Sequence, residues 1–488
     1  TLNLFNTITM LSTAINELSR QLSGYILQSG DAPYEAAIQI DNGRIQLRPL
    51  LIVRPTVVND CALGVKCAVT TTLACSMTGG GQSAAGYCMN EGGMVMDMRH
   101  LNAISFNKKR QSVTAQMGVI WYDVYKFMQD TGTGLVPVGG GCPTVAPPGF
   151  MLGGGYSFVS RSYGMSIDNL LGLKIITPDG RLRSIGPESK GEDADLFWAC
   201  RGGGGGNFGV VVEMEMKVQK PYSPKMLVGQ MRFPLEQADE VLGYYNDWVE
   251  KIPNTMAVYG YMGQQPDAVD PNKRVKVLGL TPVFNGDGAE GIDLLRELLK
   301  MKPINADLRN MTLPEWEFFN GNTTKVANRS AYIRSAILPK GGMNNKVAKV
   351  IKEYIGNAPS PDSFAVWTLT GGAISDKKPG ETAYVHRNAR FVPEIKSIWD
   401  LDKPGDARAN VEWAYEFFEK LGAAGNATGA YVNYIDPLLH NWAEMYYGAN
   451  YERLKKIKLD IDPTNVFHFQ QSIGSSFNPP KKLTDLSP

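Results

Sequence analysis

Asp193-Ala-Asp-Leu-Phe-Trp-Ala-Cys-Arg-Gly-Gly-Gly-Gly-Gly-Asn-Phe-Gly209 runs straight into the segment 210–218. Inside it, Gly204-x-Gly206-x-x-Gly209 formally satisfies the dinucleotide fingerprint. That fingerprint needs a strand before it and a helix after it, because the pyrophosphate sits on the helix N-terminus. A strand pattern follows instead. Val212, Met214, Met216 and Val218 fall on one face, and Glu213, Glu215 and Lys217 on the other. The Rossmann reading fails on context, and no GxxxxGK[ST] run replaces it. The glycines themselves remain to be explained.

The chain holds 52 glycines, and they cluster at 79–81, 139–141, 153–155 and 202–206. Glycine costs chain entropy, so clusters mark backbone that must turn tightly or approach something closely. Tight turns alone are one explanation. The other is that glycine loops beside strands offer free N–H groups, which cradle pyrophosphate well.

At 488 residues the chain exceeds one ordinary core, so two domains or more are expected. Its 49 basic and 48 acidic side chains nearly cancel, which gives no electrostatic footprint for nucleic acid or an anionic membrane. No apolar run approaches a membrane span. No signal peptide is visible, and the chain is expected to be already processed. Four sequons, at Asn310, Asn322, Asn328 and Asn426, tilt toward secretion. Six cysteines (Cys61, Cys67, Cys75, Cys88, Cys142, Cys200) include no CxxC pair, so no zinc site is expected. They read either as buried apolar residues or as one or two local disulfides.

Periodicity predicts helices over 10–22, 57–70, 121–131, 236–252, 288–301 and 343–355, and a basic helix opening 451–473. It predicts strands at 51–55, 73–77, 94–98, 112–117, 135–138, 173–177 and 210–218, then at 226–233, 256–262, 276–284, 331–338 and 364–370. Pro178-Asp-Gly180 reads as a hairpin turn. Short connections after Pro221 favour an antiparallel sheet covered by helices on one face. The expected organisation is one domain from 1–221 completed by the tail 425–488, with a second domain, 222–424, inserted between.

Cys142-Pro-Thr-Val-Ala-Pro-Pro-Gly-Phe-Met-Leu-Gly-Gly-Gly155 resembles the segment that runs under the isoalloxazine in berberine-bridge-enzyme-like flavoproteins. The 193–209 segment is similar to their DLFWALRGGGGNFG run. Ser166-Ile-Asp-Asn169, Thr177-Pro-Asp-Gly180, Tyr431-Val-Asn-Tyr434-Ile-Asp436, Asp462-Pro-Thr-Asn-Val-Phe467 and Gln471-Ser-Ile473 resemble further family segments. The resemblance spans about 20–475 and includes the fungal oligosaccharide oxidases. It implies an α+β, two-domain FAD-binding fold of the vanillyl-alcohol-oxidase type, with an inserted antiparallel-sheet substrate domain. It also implies FAD held by Gly79, Gly80, Gly81, Gln82, Ser83, Cys142, Val145, Gly149, Gly153, Gly154, Asp168, Asn169, Gly206, Asn207, Gly209, Val210, Val211 and Asn433.

One departure matters. Most relatives carry R-x-GG-H-S, whose His bonds to the flavin 8-methyl group; this chain reads Thr78-Gly-Gly-Gly-Gln82-Ser83. An amide is no nucleophile, so that bond is excluded. Cys142 matches the second attachment point, and the resemblance implies a single 6-S-cysteinyl link, a free buried thiol being the alternative. One link fewer should lower the flavin potential and suit easily oxidised substrates.

Oxidising an alcohol needs a C–H hydride aimed at flavin N5 and a base for the O–H proton. The resemblance gives the base to Tyr434, whose pKa must fall or whose proton must move in concert with the transfer. The alternative for Tyr434 is a core aromatic on an alternating strand; strand alternation turns Asn433 to the opposite face, where it is expected to seat the cofactor or the strand and not to act on substrate. Val145 implies space for dioxygen and hence an oxidase. Tyr156, Trp367 and Thr370 are the expected substrate residues, and His386-Arg387 resembles a family pair. Three readings follow: a secreted carbohydrate oxidase using O2 and yielding hydrogen peroxide; a secondary-metabolism oxidoreductase or cyclase acting on an alkaloid, terpenoid or polyketide; and a protein keeping FAD without redox turnover. The partners expected are a small-molecule substrate and O2, with no nucleic acid and no membrane.

Overall fold

The computed structural model describes residues 2–267, 270, 272–321, 329–403 and 406–479. β1 (Tyr25–Leu27), β2 (Leu51–Arg54), β3 (Cys75–Thr78) and β4 (Met94–Asp97) form a sheet in the order β1-β2-β4-β3. Its strands are parallel apart from β1. The helix Val58–Thr71 connects β2 to β3 and turns Cys61, Val65 and Ala68 into the core.

β5 (Ile104–Asn107), β6 (Ser112–Gln116), β7 (Val136–Pro137), β8 (Leu170–Ile176), β9 (Leu182–Ile185) and β10 (Val210–Gln219) build a second, antiparallel sheet. Its order is β5-β6-β10-β8-β9, with β7 also against β10. β10 obeys the alternation of its sequence. Val212, Met214, Met216 and Val218 are buried, while Glu213 reaches Lys174 (2.9 Å) and Glu215 reaches Arg110 (2.9 Å) at the surface. The turn between β8 and β9 closes on Gly180, whose φ of +76° suits glycine.

The third sheet contains β11 (Met226–Pro234), β12 (Met256–Pro266), β13 (Arg274–Phe284), β14 (Asn305–Met311), β15 (Arg329–Ser335), β16 (Phe364–Leu369) and β17 (Phe391–Asp400). It is antiparallel throughout, in the order β14-β11-β13-β12-β16-β17-β15. The helices Ala238–Trp248, Asn345–Gly356 and Asp406–Gly425 lie on one side of it. The other face looks toward the first two sheets, where Tyr259 packs its ring 4.5 Å from that of Phe158.

Three of the elements that escape the sequence pattern lie in the third sheet or on it. β14 is a polar edge strand of half-exposed residues, with no apolar face to betray it. β17 contains Pro393, which reads as a strand breaker. The 20-residue helix Asp406–Gly425 ends on Gly422 and Gly425, which read as loop.

No disulfide joins the six cysteines, so the local disulfides considered above do not form. Cys61, Cys67, Cys75 and Cys200 are buried, and burial pushes the Cys61 and Cys200 thiols up to about 12. Among the described residues no helix is long and apolar enough to cross a membrane, and no cluster fit for a metal ion occurs.

Candidate active site

Two loops press against each other at the end of the first sheet. A Cβ on Gly80 would stand 2.4 Å from the Thr144 carbonyl oxygen, and one on Gly79 2.9 Å from that of Met117. Only glycine permits this approach. Gln82 Nε2 donates to Thr144 Oγ1 (3.0 Å), and Cys142 Sγ lies 3.6 Å from the same hydroxyl. Gln82, which replaces the relatives' attaching His, and Cys142, the one expected attachment point, therefore converge on one threonine. Ser83 Oγ takes the Tyr87 N–H (3.0 Å), fixing the far side of the loop.

The backbone N–H groups of Gly80, Gly81, Gln82 and Ser83 donate to no group among the described residues. Gly81 has φ +71°. A run of free N–H groups bent through a left-handed residue is an anion nest, which fits a pyrophosphate. Cys142 is exposed beside this nest. Gly149 is exposed too, with open space where a Cβ would stand. Val145, half-buried, is tied by its N–H to Cys142 O (3.2 Å) and by its carbonyl to Trp121 N–H (3.0 Å). These residues fit FAD.

The other glycine clusters are used differently. Gly202 and Gly204 both donate to Leu152 O (2.9 Å each). Asn207 Nδ2 lies within 3.4 Å of the carbonyls of Gly203, Gly204 and Gly205, and its Oδ1 takes the Ile473 N–H. The side chain expected at the cofactor thus ties the 202–206 loop, Gly206 included, to the C-terminal segment. Gly209 opens β10 with its Cβ position 2.4 Å from Ile176 O, and Val210 and Val211 continue as buried rungs of that strand.

Asp168 and Asn169 also turn away from the cofactor expectation. Asp168 accepts both Nη groups of the fully buried Arg387 (2.7 and 2.9 Å). Asn169 Nδ2 donates to Tyr163 O and Met165 O, and its Oδ1 takes Gln219 Nε2. Neighbouring His386 is pushed down to about 4 by burial and stands neutral against Tyr446 O (3.1 Å).

Gly153 has no room for a side chain, because Asn433 Oδ1 lies 1.9 Å from its Cβ position. Asn433 Nδ2 donates to Phe150 O (2.7 Å) and to the Tyr431 hydroxyl (2.8 Å), which also accepts the Gly155 N–H (2.8 Å). The C-terminal segment is thereby clamped onto the 150–155 loop, in which Gly154 has φ +135°. The segment is a 3-10 turn, Val432–Tyr434, not a strand. Alternation does not apply, and Asn433 works on the same loop as Tyr431.

Tyr434, half-buried at the end of that turn, stands beside Glu394 of β17. Burial, and then the charge of Glu394, push the Tyr434 phenol well above its ordinary value. The expected downward shift is thus reversed. Burial likewise raises the Glu394 carboxyl, with Lys396 pulling the other way. Tyr431 stands perpendicular to Tyr434 at 5.1 Å. Tyr156 lies 4.9 Å from Tyr431, and its buried hydroxyl bonds that of Tyr384.

The sheet face decides the remaining positions. Val366 faces Glu394 across the β16–β17 ladder, and Thr368 faces Val392. These residues and Tyr259, which Thr368 hydrogen-bonds, look onto the site. Trp367 is on the other side. Its fully buried ring covers Gly260, and its N–H donates to Tyr245 of the helix Ala238–Trp248 (3.3 Å). Thr370 is buried too, donating to Ala389 O (2.6 Å). Neither Trp367 nor Thr370 turns toward the site; Thr368, one position along from Trp367, does. Glu394 was missed with its strand. The clue available was an acid at an otherwise apolar position of Phe391-Val-Pro-Glu-Ile-Lys-Ser-Ile.

Residues 49–186 match the FAD binding domain family, and residues 430–474 match the family described as berberine and berberine like. An uncharacterized FAD-linked oxidoreductase of Bacillus subtilis is 29% identical over 93% of this chain and 97% of its own length. The chain is an FAD-dependent oxidoreductase similar to the berberine-bridge-enzyme-like proteins. Reticuline oxidase of Papaver somniferum is 25% identical, over 87% of this chain and 84% of that protein. A solved chitooligosaccharide oxidase superposes with a TM-score of 0.81 at 22% identity, covering 96% of this chain and all of the other (100%). That superposition shows the fold of this berberine-bridge-like chain: α+β, of the vanillyl-alcohol-oxidase type.

Proposed function

We propose that this oxidoreductase is an oxidase that removes a hydride from an alcohol-type C–H of a carbohydrate. The observation that carries the reading is the Tyr434–Glu394 pair, set where the open face of the third sheet meets the 150–155 loop. When bound, FAD supplies the hydride acceptor and passes the electrons to dioxygen, giving hydrogen peroxide. The nest at 79–83 holds the pyrophosphate, with Cys142 and Val145 against the ring. A single thioether to Cys142 is the expected linkage.

The protein's own part is proton management. A phenol pushed upward does not rest as phenolate. Tyr434 therefore takes the substrate hydroxyl proton as its own proton passes to Glu394, the charged acceptor at its side. The alcohol loses one proton to this pair and one hydride to the cofactor. Tyr431 and Asn433 hold the turn in place, and Thr368 and Tyr259 line the floor beneath the substrate.

We assign cofactor binding to 1–221 with 425–488, and substrate binding to 222–424. Secretion and glycosylation are part of the same reading. Asn310 and Asn426 are exposed, while Asn322 and Asn328 lie outside the described residues. Gln82 favours a second reading, a secondary-metabolism oxidoreductase or cyclase, because a flavin with one link fewer suits easily oxidised substrates. A peroxide assay over sugars and small aromatic alcohols separates the two: activity on sugars alone supports the first, activity on aromatic alcohols alone overturns it. Anaerobic substrate that never bleaches the flavin would leave FAD as a structural element only.

A further inference from the structure

Gly139, Gly140 and Gly141 lead into Cys142, and none of the three has room for a side chain. A Cβ on Gly139 would stand 2.6 Å from the Trp121 ring and 2.7 Å from the Tyr125 hydroxyl. One on Gly140 would stand 3.0 Å from the Phe150 ring, and one on Gly141 2.8 Å from the Phe158 ring. None of these glycines takes a left-handed φ, so close approach alone requires them. Cys142 itself is exposed, and its thiol meets Thr144 alone among the described residues (3.6 Å). The thiol is therefore placed by its chain neighbours.

Those neighbours are braced from the far side of the molecule. The helix Leu313–Asn320, which follows β14 of the third sheet, packs on the helix Trp121–Asp130 beside the loop. Phe318 and Tyr122 put their rings 5.1 Å apart, and the Tyr122 N–H donates to Pro143 O (2.9 Å). A Cβ on Gly321 would stand 2.8 Å from the Pro143 ring.

Glu317 of this helix is 1% exposed. Its Oε1 lies 3.3 Å from the Tyr125 hydroxyl, which also lies 3.1 Å from Gly140 O. Its Oε2 is buried without a partner among the described residues, 3.6 Å from the Cβ position of Gly141. Burial pushes the Glu317 carboxyl well above its ordinary value, with the Tyr125 hydroxyl pulling the other way. A phenol has one proton to give and here two oxygens to receive it. A neutral carboxyl resolves the conflict. Glu317 gives its proton to the phenol oxygen, and Tyr125 gives its own to Gly140 O. The chain of donors then ends two residues before Cys142.

We infer that Glu317 is a positioning residue: its carboxyl proton, relayed by Tyr125, fixes the 139–143 loop and so sets the direction of the Cys142 thiol. It rests on the proposed reading of Cys142 as the flavin-linked residue and adds the group that holds it in place. Attachment replaces the S–H bond of Cys142 and the C6–H bond of the ring by one S–C bond. The two protons and two electrons released end on dioxygen, as hydrogen peroxide.

The test uses the full chain, expressed under riboflavin starvation and then given FAD. Flavin that survives acid denaturation measures covalent uptake. Glu317→Leu and Tyr125→Phe should slow uptake by about 10²-fold, the cost of a small misplacement of a reacting group. Tyr125→Phe removes a single oxygen, so it covers the case in which Glu317→Leu does not fold. Glu317→Gln, whose amide can still donate to the phenol, should stay near the native rate. Alkylation of Cys142 by iodoacetamide needs a thiolate but no set direction, and it should proceed alike in all four proteins. Uptake as fast in the Leu and Phe variants as in the native chain overturns the inference. So does Glu317→Gln as slow as Glu317→Leu, or alkylation that slows in step with uptake, which would make Glu317 a tuner of thiol acidity. A native chain that binds FAD and never attaches it removes the Cys142 reading and this inference together.

Discussion

Tyr434 stands beside Glu394, and these two residues come from segments 40 positions apart, one a 3-10 turn and the other a strand. The Glu394 charge makes Tyr434 harder to ionise, while the Tyr434 hydroxyl favours the Glu394 carboxylate, so the proton passes from the phenol toward the carboxylate as the substrate proton arrives. Glu394→Gln and Tyr434→Phe should each lower kcat by roughly 10²–10⁴-fold, the range of positioned acid–base groups. The double variant should be little worse than the poorer single one, because the pair acts as a unit. Peroxide release under saturating substrate reads this out.

The pH profile carries the same signature. A base must be ionised to accept a proton, so activity falls as pH drops through its pKa. Burial raises that of Glu394. The acid limb of kcat/KM should therefore lie above the range of an exposed carboxylate, about 4.3. In Glu394→Gln the limb should vanish, and a limb that persists unchanged would assign it to another group.

Cys142 and Gln82 share Thr144, but only the thiol forms a bond to carbon readily. Acid-denatured native protein should keep its flavin, and Cys142→Ser should release all of it. Release from the native protein would show the cofactor to be held by the nest alone.

How much of this was legible beforehand follows from which residues carry periodicity. β10 and β8 were readable because Val212, Met214, Met216 and Val218 alternate with charges, and Pro178-Asp-Gly180 marks the turn after β8. The glycine cradle at 79–81 was readable because nothing else tolerates backbone at 2.4 Å. Glu394 was not, since Pro393 beside it argues against the strand that places it. Trp367 was misassigned by one position of strand parity: its neighbour Thr368 faces the site, and a one-residue step changes the face. Asp168 and Asn169 have partners distant in sequence, Arg387 and Gln219, which only the folded chain brings together.

Asp168 and Arg387 form a buried pair that pins the 166–169 turn to the 382–390 segment. Removing one partner leaves the other charge uncompensated in the interior. Asp168→Asn should cost about 3–5 kcal/mol of stability, measured by urea unfolding of the FAD-loaded protein, with a loss under 1 kcal/mol arguing that water reaches Arg387.

Gly153→Ala should force Asn433 off the 150–155 loop, because the new methyl would lie 1.9 Å from its Oδ1. Overpacking of this kind costs about 1–3 kcal/mol. It should also loosen the turn bearing Tyr434, so kcat should fall more than KM changes. The double variant Gly153→Ala with Asn433→Ala removes the clash and should regain most of the lost stability.

Anaerobic stopped-flow reduction of the flavin by an oxidisable oligosaccharide tests the central claim most directly, since it isolates hydride and proton transfer from reoxidation. The native enzyme should bleach in a single fast phase, and Glu394→Gln should bleach at least 10²-fold more slowly with substrate affinity little changed. Equal bleaching rates in the two proteins would contradict the assignment of Glu394 and Tyr434 as the route by which the proton leaves.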